Sequence, residues 1–235
     1  MSFLTAEWRK LALANYEVDP DLLQSYVPAK TELDLWQGRC YASLVGFMFK
    51  NVRLRGIKIP FHVNFEEVNL RFYVRFKEEG KWKRGVVFVS EIVPKPAISI
   101  VANLLYREHY ETMPMRHKWK LDGPEMEVQY QWKNKGEWYN FEVKADKSSV
   151  PIAVGSEAEF ITEHYWGYTE HPSRRTIEYQ VTHPRWEQYA VHDFKVEADF
   201  GKLYGEEFAF LSESSPTSVI LAEGSPITIE GRNFV

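Results

Sequence analysis

The clearest pattern in the chain lies over residues 68–76. Val68, Leu70, Phe72, Val74 and Phe76 alternate with Asn69, Arg71, Tyr73 and Arg75. A period of two sends successive side chains to opposite faces of a strand. Glu78-Glu79-Gly80-Lys81 then predicts a hairpin turn. Residues 86–93 are apolar at most positions, the pattern of a strand buried on both faces. Upstream, residues 8–18 predict one strand. Residues 33–49 contain a second, with Cys40, Ala42, Leu44 and Met48 on one side. Between them, Asp19-Pro20 supplies an N-cap and a proline at the first helical position, predicting a helix over 20–27 that stops before Pro28. Residues 53–60 read as a loop.

The second half follows the same grammar. Residues 97–107 predict a helix entered through Pro94 and Pro96. Ile98, Ile100, Val101, Leu104 and Leu105 cover most of its circumference, so a buried helix is expected. Residues 125–133 and 137–145 predict two strands joined by the turn Asn134-Lys135-Gly136. Ser156 with Glu159 forms a capping box that starts a short helix to about Glu163. Strands are expected near 165–169, 174–182, 191–199, 207–211 and 217–222, with a last short strand and tail over 226–235. No repeat or linker interrupts the chain. Strands outnumber a few short helices, which implies a single, mainly β domain over residues 1–235.

Composition sharpens this picture. The chain has 235 residues, enough to bury most of its surface without staples. Aromatic residues reach 15%, which favours pleated, half-buried surfaces. A net charge of −4 and the lack of a basic face argue against a nucleic-acid partner. Arg116, Lys118 and Lys120 alternate along what reads as a solvated strand face. No run of residues is long and apolar enough to suggest a membrane partner, and residues 1–10 show no apolar signal core. One cysteine allows no internal disulfide, so a cytoplasmic location is expected. Cys40 shares its face with Ala42 and Leu44 and reads as a small buried hydrophobe. The chain has no phosphate loop, nucleophile elbow or His-Glu-x-x-His motif. The seven histidines read as structural or solvent-facing, no metal site is expected, and no cofactor is implied.

Three stretches resemble a known family. Tyr16-Glu17-Val18-Asp19-Pro20-Asp21-Leu22-Leu23, continuing to Val27-Pro28, is similar to the strand, helix and Val-Pro entry of acetoacetate decarboxylase-like proteins. Residues 64–74, Asn-Phe-Glu-Glu-Val-Asn-Leu-Arg-Phe-Tyr-Val, resemble the signature of the uncharacterised YqjF-like branch of that superfamily, with His62 just before them. Glu91-Ile92-Val93-Pro94-Lys95-Pro96 resembles the decarboxylase lysine motif, in which a proline precedes two adjacent lysines. Here Lys95 follows the proline, and Pro96 stands in the second lysine's place. Two later stretches, residues 160–168 and 218–225, also look like the family.

The resemblance implies a closed antiparallel β-barrel or cone with a few packed helices and an interior pocket. The expected ligand is a small anionic or carbonyl-bearing molecule, and a homo-oligomer is compatible with the chain. Arg9 falls where those enzymes carry an arginine, on a face with Leu11 and Leu13. Arg9, Asn69, Arg71 and His62 are the candidate substrate-binding residues. Glu67, Asn69 and Arg71 project from one strand face, which either lines the barrel or is plainly solvated. Lys95 and Glu67 are the candidate catalytic residues, as Schiff-base nucleophile and proton carrier. Bringing a lysine from about 10.4 to near 7 takes roughly 4–5 kcal/mol, and the neighbouring cation that would contribute is missing. Two functions therefore stand open: a lyase-like enzyme using a lysine, or a non-catalytic small-molecule-binding or sensing protein on the same barrel.

Overall fold

The computed structural model describes residues 2–235. Fourteen strands are seen: β1 (Leu4–Glu17), β2 (Thr31–Leu33), β3 (Tyr41–Leu54), β4 (Phe65–Glu78), β5 (Lys81–Val93), β6 (Tyr110–Thr112), β7 (Met115–Lys120), β8 (Met126–Asn134), β9 (Glu137–Pro151), β10 (Trp166–Glu170), β11 (Thr176–Thr182), β12 (Glu187–Glu197), β13 (Ser218–Ile229) and β14 (Asn233–Phe234). Four short helices join them: α1 (Pro20–Leu23), α2 (Pro96–Leu105), α3 (Glu157–Thr162) and α4 (Phe200–Tyr204).

Pairing closes on itself. The order β11-β10-β5-β4-β3-β1-β13 returns to its start because β11 also pairs with β13. Seven strands thus form a ring. From β13 the sheet continues outward through β12, β9, β8 and β7. The ring is not wholly antiparallel as expected: β10 runs parallel to β5, pairing at Gly85 and Val86. A hairpin cannot deliver that arrangement. The chain reaches β10 through α3 instead, after leaving β9. The junction leaves no room for side chains, since a Cβ on Gly85 would lie 2.6 Å from the Trp166 carbonyl oxygen.

The alternation of each strand divides the apolar residues between two cores. On β4, Val68, Leu70, Phe72 and Val74 face outward and pack with Val128, Tyr130, Trp132, Phe141 and Val143 from β8 and β9. The opposite face of the ring strands looks inward. It carries Leu11 and Leu13 of β1, Val45, Phe47 and Phe49 of β3, and Phe65 and Tyr73 of β4. Inserted between Phe65 and Tyr73 on that inner face are Glu67, Asn69 and Arg71, all buried. Three charged or amide side chains in an otherwise apolar interior need compensation, and that requirement locates the site.

Several local expectations change. The strand over 207–211 is a 3-10 helix, Glu206–Ser212, which buries Phe208 and Leu211 three residues apart. The spacing Phe208-x-Phe210 imitates a strand, yet only Phe208 is buried and Phe210 is exposed. The helix from Pro20 is α-helical only to Leu23 and tightens to 3-10 over Gln24–Tyr26, with Asp19 accepting from the Asp21 N–H as N-cap. Helix α2 is not buried. Ser99 is its one buried residue, and Ile100 and Leu104 are 59% and 61% exposed. Its apolar circumference exceeds the strip that β5 and the ring edge cover. Among the described residues no helix is long and apolar enough to cross a membrane.

Candidate functional site

Two adjoining cavities occupy the ring interior. The larger, about 210 Å³, lies under α2 and the loop between β3 and β4. Its walls are apolar, including Phe49, Phe65, Ile98, Val101 and Ile229. Ile59, His62 and Val101 on its rim are at least partly exposed, so it reaches the surface. The smaller, about 60 Å³, lies deeper and holds the polar groups Asn69, Arg71, Glu91, His164 and His183. Glu67, Tyr110 and Tyr179 line both, together with Phe49 and Ile229, so they form the polar part of the shared wall.

The wall is acidic. Glu67, Glu91 and Glu108 come from β4, β5 and the segment after α2, and all three are buried. Asn69 Nδ2 donates to Glu67 Oε1 at 2.9 Å, and the Tyr110 hydroxyl donates to Glu67 Oε2 at 3.2 Å. The Tyr179 hydroxyl donates to Glu108 Oε1 at 2.8 Å. Burial pushes the Glu67 carboxyl up to about 7, against the hydrogen bonds from Asn69 and Tyr110 and the Arg71 charge. Burial likewise lifts Glu108 to about 8, and the Glu67 charge adds to this. Glu91 is raised well above the usual carboxylate range by burial, then by Glu108 and Glu67. Three carboxyls so close cannot all ionise, so the wall retains protons near neutral pH and its carboxylic acids can donate hydrogen bonds.

Arg71 is the cation of the deeper chamber. It is 7% exposed and packs over the Tyr73 ring at 5.7 Å. Its Nε is buried without an acceptor. Glu91 Oε2, Glu108 Oε2, Asn69 Oδ1 and His164 Nδ1 are also buried without partners. Native interiors rarely leave so many polar atoms unmatched in one place.

The residues expected from sequence divide into two groups. Glu67, Asn69 and Arg71 share the inner face of β4, and His62 sits on the rim of the larger cavity, its Nδ1 2.8 Å from the Pro60 carbonyl oxygen. Arg9 and Lys95 line neither cavity. Arg9 does not share a face with Leu11 and Leu13. Lys10 adopts φ +54 and the register of β1 against β3 slips between Arg9 and Ala12. This bulge inverts the parity of the strand, so Trp8 and Leu11 both point inward while Arg9 points out to Glu7, 2.7 Å away. Lys95 occupies the N-cap position of α2 without a side-chain capping bond and is partly exposed. Against burial, the hydrogen bond with His117 at 2.6 Å holds the Glu66 carboxyl below its usual range, and the Lys95 charge adds to this. Glu66 is the neighbour of Glu67 and faces away from the cavities.

Glu108, Tyr110, Tyr179 and His164 were not expected at the site. Glu108 and Tyr110 arrive through the crossover that lays β6 beside β5, with Tyr110 opposite Glu91, and the closure of the ring through β10 and β11 brings in His164 and Tyr179. Glu91 was in view as part of the lysine motif, but a carboxylate in an apolar strand was itself a signal of a buried acid.

Comparison with solved structures places the fold. The enduracididine biosynthesis enzyme MppR with HEPES buffer bound superposes with a TM-score of 0.69 at 12% identity, covering 100% of this chain and 88% of that one. Acetoacetate decarboxylase from Legionella pneumophila subsp. pneumophila str. Philadelphia 1 superposes at 0.65 and 13% identity, covering 99% and 86%. At such identities the likeness is one of fold. In sequence, the uncharacterized protein YqjF of Bacillus subtilis (strain 168) is 37% identical over 84 residues, a match spanning 35% of this chain and 33% of that protein. The model of DUF2071, a family of uncharacterized conserved proteins, matches residues 5–226, and the chain belongs to that family.

Proposed function

We propose that the ring interior binds a small organic molecule bearing a carboxylate or carbonyl oxygen on an apolar body. Arg71 is the anchor in this reading, giving its guanidinium N–H groups to the oxygen. One observation carries it: a buried cation with an unmatched Nε and no carboxylate in ion-pair contact among the described residues. A buried charge left unpaired is costly, and a ligand oxygen would relieve that cost. The apolar walls of the larger cavity suit the body of the molecule. In this reading Glu67, between the cavities and raised by burial to about 7, exchanges a proton with the ligand. Among proteins of this fold, MppR is known complexed with pyruvate, a small 2-oxo acid, which agrees with the ligand class.

Among the described residues no lysine lines either cavity. That favours binding or acid–base chemistry over a Schiff base, and it supports a second reading, a non-catalytic binding protein on the same ring. Calorimetric titration with 4-methyl-2-oxopentanoate tests the anchor. Wild-type protein should bind it, and Arg71→Gln should bind at least about tenfold more weakly. Equal binding would remove Arg71 from the role. No binding of this acid, of pyruvate or of 2-oxohexanoate would remove the ligand class. Deuterium exchange at C3 of the bound acid, lost in Glu67→Gln, would separate acid–base chemistry from binding alone.

A further inference from the structure

His164 reaches the deeper chamber from a different direction. It follows α3 and leads into β10, and its ring is held 4.7 Å from the Tyr73 ring and 5.2 Å from that of Phe160. Its Nε2 lies 3.2 Å from Asp34 Oδ2, and Arg84 Nε donates to the same oxygen at 2.6 Å. Burial works to raise the Asp34 carboxyl, yet the hydrogen bonds from His164 and Arg84 hold it below the usual range, so it is ionised. An ionised carboxylate only accepts, so the proton between the two side chains belongs to Nε2. Burial lowers His164 to about 4, so the ring is neutral at physiological pH. A neutral imidazole with its proton on Nε2 has a bare lone pair on Nδ1. That atom is buried without a partner, in a residue lining the chamber that holds Arg71. Both side chains pack on the Tyr73 ring.

We propose that His164 Nδ1 is a fixed hydrogen-bond acceptor of the chamber, and that the ligand presents an O–H or N–H group to it beside the oxygen bound by Arg71. The inference rests on the reading of Arg71 as anchor and narrows the ligand to a hydroxy- or amino-substituted acid or carbonyl compound. Arg71 and Arg84 both oppose a charged ring, so the contact is a hydrogen bond without transfer of the proton. Asp34 and Arg84 are positioning residues: they set the tautomer and meet no ligand themselves.

Nitrogen NMR of protein labelled with 15N-histidine reads the tautomer directly. In the free protein, Nε2 of His164 should be protonated and Nδ1 bare. Adding 2-hydroxy-4-methylpentanoate should shift Nδ1, and adding 4-methylpentanoate should not. By calorimetry the hydroxy acid should bind about tenfold more tightly, the scale of one buried hydrogen bond. Asp34→Asn should shrink that preference, because a carboxamide can donate to Nε2 and move the ring proton to Nδ1. A protonated Nδ1 in the free wild-type protein overturns the proposal. So do equal affinities with an unmoved Nδ1, which would leave Arg71 as anchor and remove His164. If neither acid binds while 4-methyl-2-oxopentanoate does, the His164 proposal is overturned and the anchor stands; if none of the three binds, both fall.

Discussion

Replacing Glu108 with glutamine should flatten the dependence of stability on pH between about 6.5 and 8.5. In the unfolded chain Glu108 titrates near 4.5, so it carries no proton in this window. In the folded protein it keeps its proton up to about 8. The folded state therefore binds more protons, and stability falls as pH rises. Each pH unit over which only the folded state holds the proton removes about 1.4 kcal/mol. Across the window Glu108 contributes roughly 2 kcal/mol of loss, and Glu67, at about 7, roughly 1 kcal/mol. Glu91 acts in the same direction. His164 and His183 have depressed affinities, so they raise stability with pH, and because an unfolded histidine is still half protonated at pH 6.5 each adds back up to about 0.4 kcal/mol within the window. The loss from the three carboxyls outweighs that rise. Urea unfolding followed by tryptophan fluorescence at three pH values would measure it. Wild-type protein should lose at least about 3 kcal/mol, and Glu108→Gln about 2 kcal/mol less. Glutamine still accepts the Tyr179 hydrogen bond, and losing one charge also eases ionisation of the other two acids. A flat wild-type profile would mean that water already reaches these acids, and the dry wall between the cavities would be refuted.

Other substitutions probe separate parts of the account. Arg71→Met should raise stability by about 1–2 kcal/mol in urea unfolding while abolishing binding of 2-oxo acids, since a buried unpaired charge gives way to an apolar side chain of similar length; a loss of stability would show that Arg71 is already satisfied. Gly167→Ala should cost at least about 2 kcal/mol, because its methyl group would collide with the Tyr179 ring that holds Glu108; a neutral effect would place that ring elsewhere. Leu104→Gln on α2 should change stability by less than about 0.5 kcal/mol, as expected for an exposed position; a large loss would restore the buried helix expected from its composition.

What could be read in advance followed from local periodicity. The alternation over 68–76 put Glu67, Asn69 and Arg71 on one face, and β4 carries them inward as one row. The turns at Glu79-Gly80 and Lys135-Gly136 were legible because left-handed φ angles there favour glycine. Arg9 was misplaced because a single bulge at Lys10 inverts every side chain beyond it, and no residue type announces that bulge. Glu108, Tyr179 and His164 were invisible for a different reason. Tyr179 and His164 owe their places to ring closure through β5, β10 and β11, and Glu108 to the crossover through α2 that sets β6 beside β5, pairings between separate segments that leave no local pattern.

Contact between the Arg71 guanidinium and a ligand oxygen inside the ring can be observed directly. Protein labelled with 15N-arginine allows the Nε–H resonance of Arg71, assigned by its loss in Arg71→Gln, to be followed as 4-methyl-2-oxopentanoate is added. The signal should be protected from exchange with water and should move in step with saturation. A resonance that exchanges freely, or that stays still while the acid binds, would contradict the proposal.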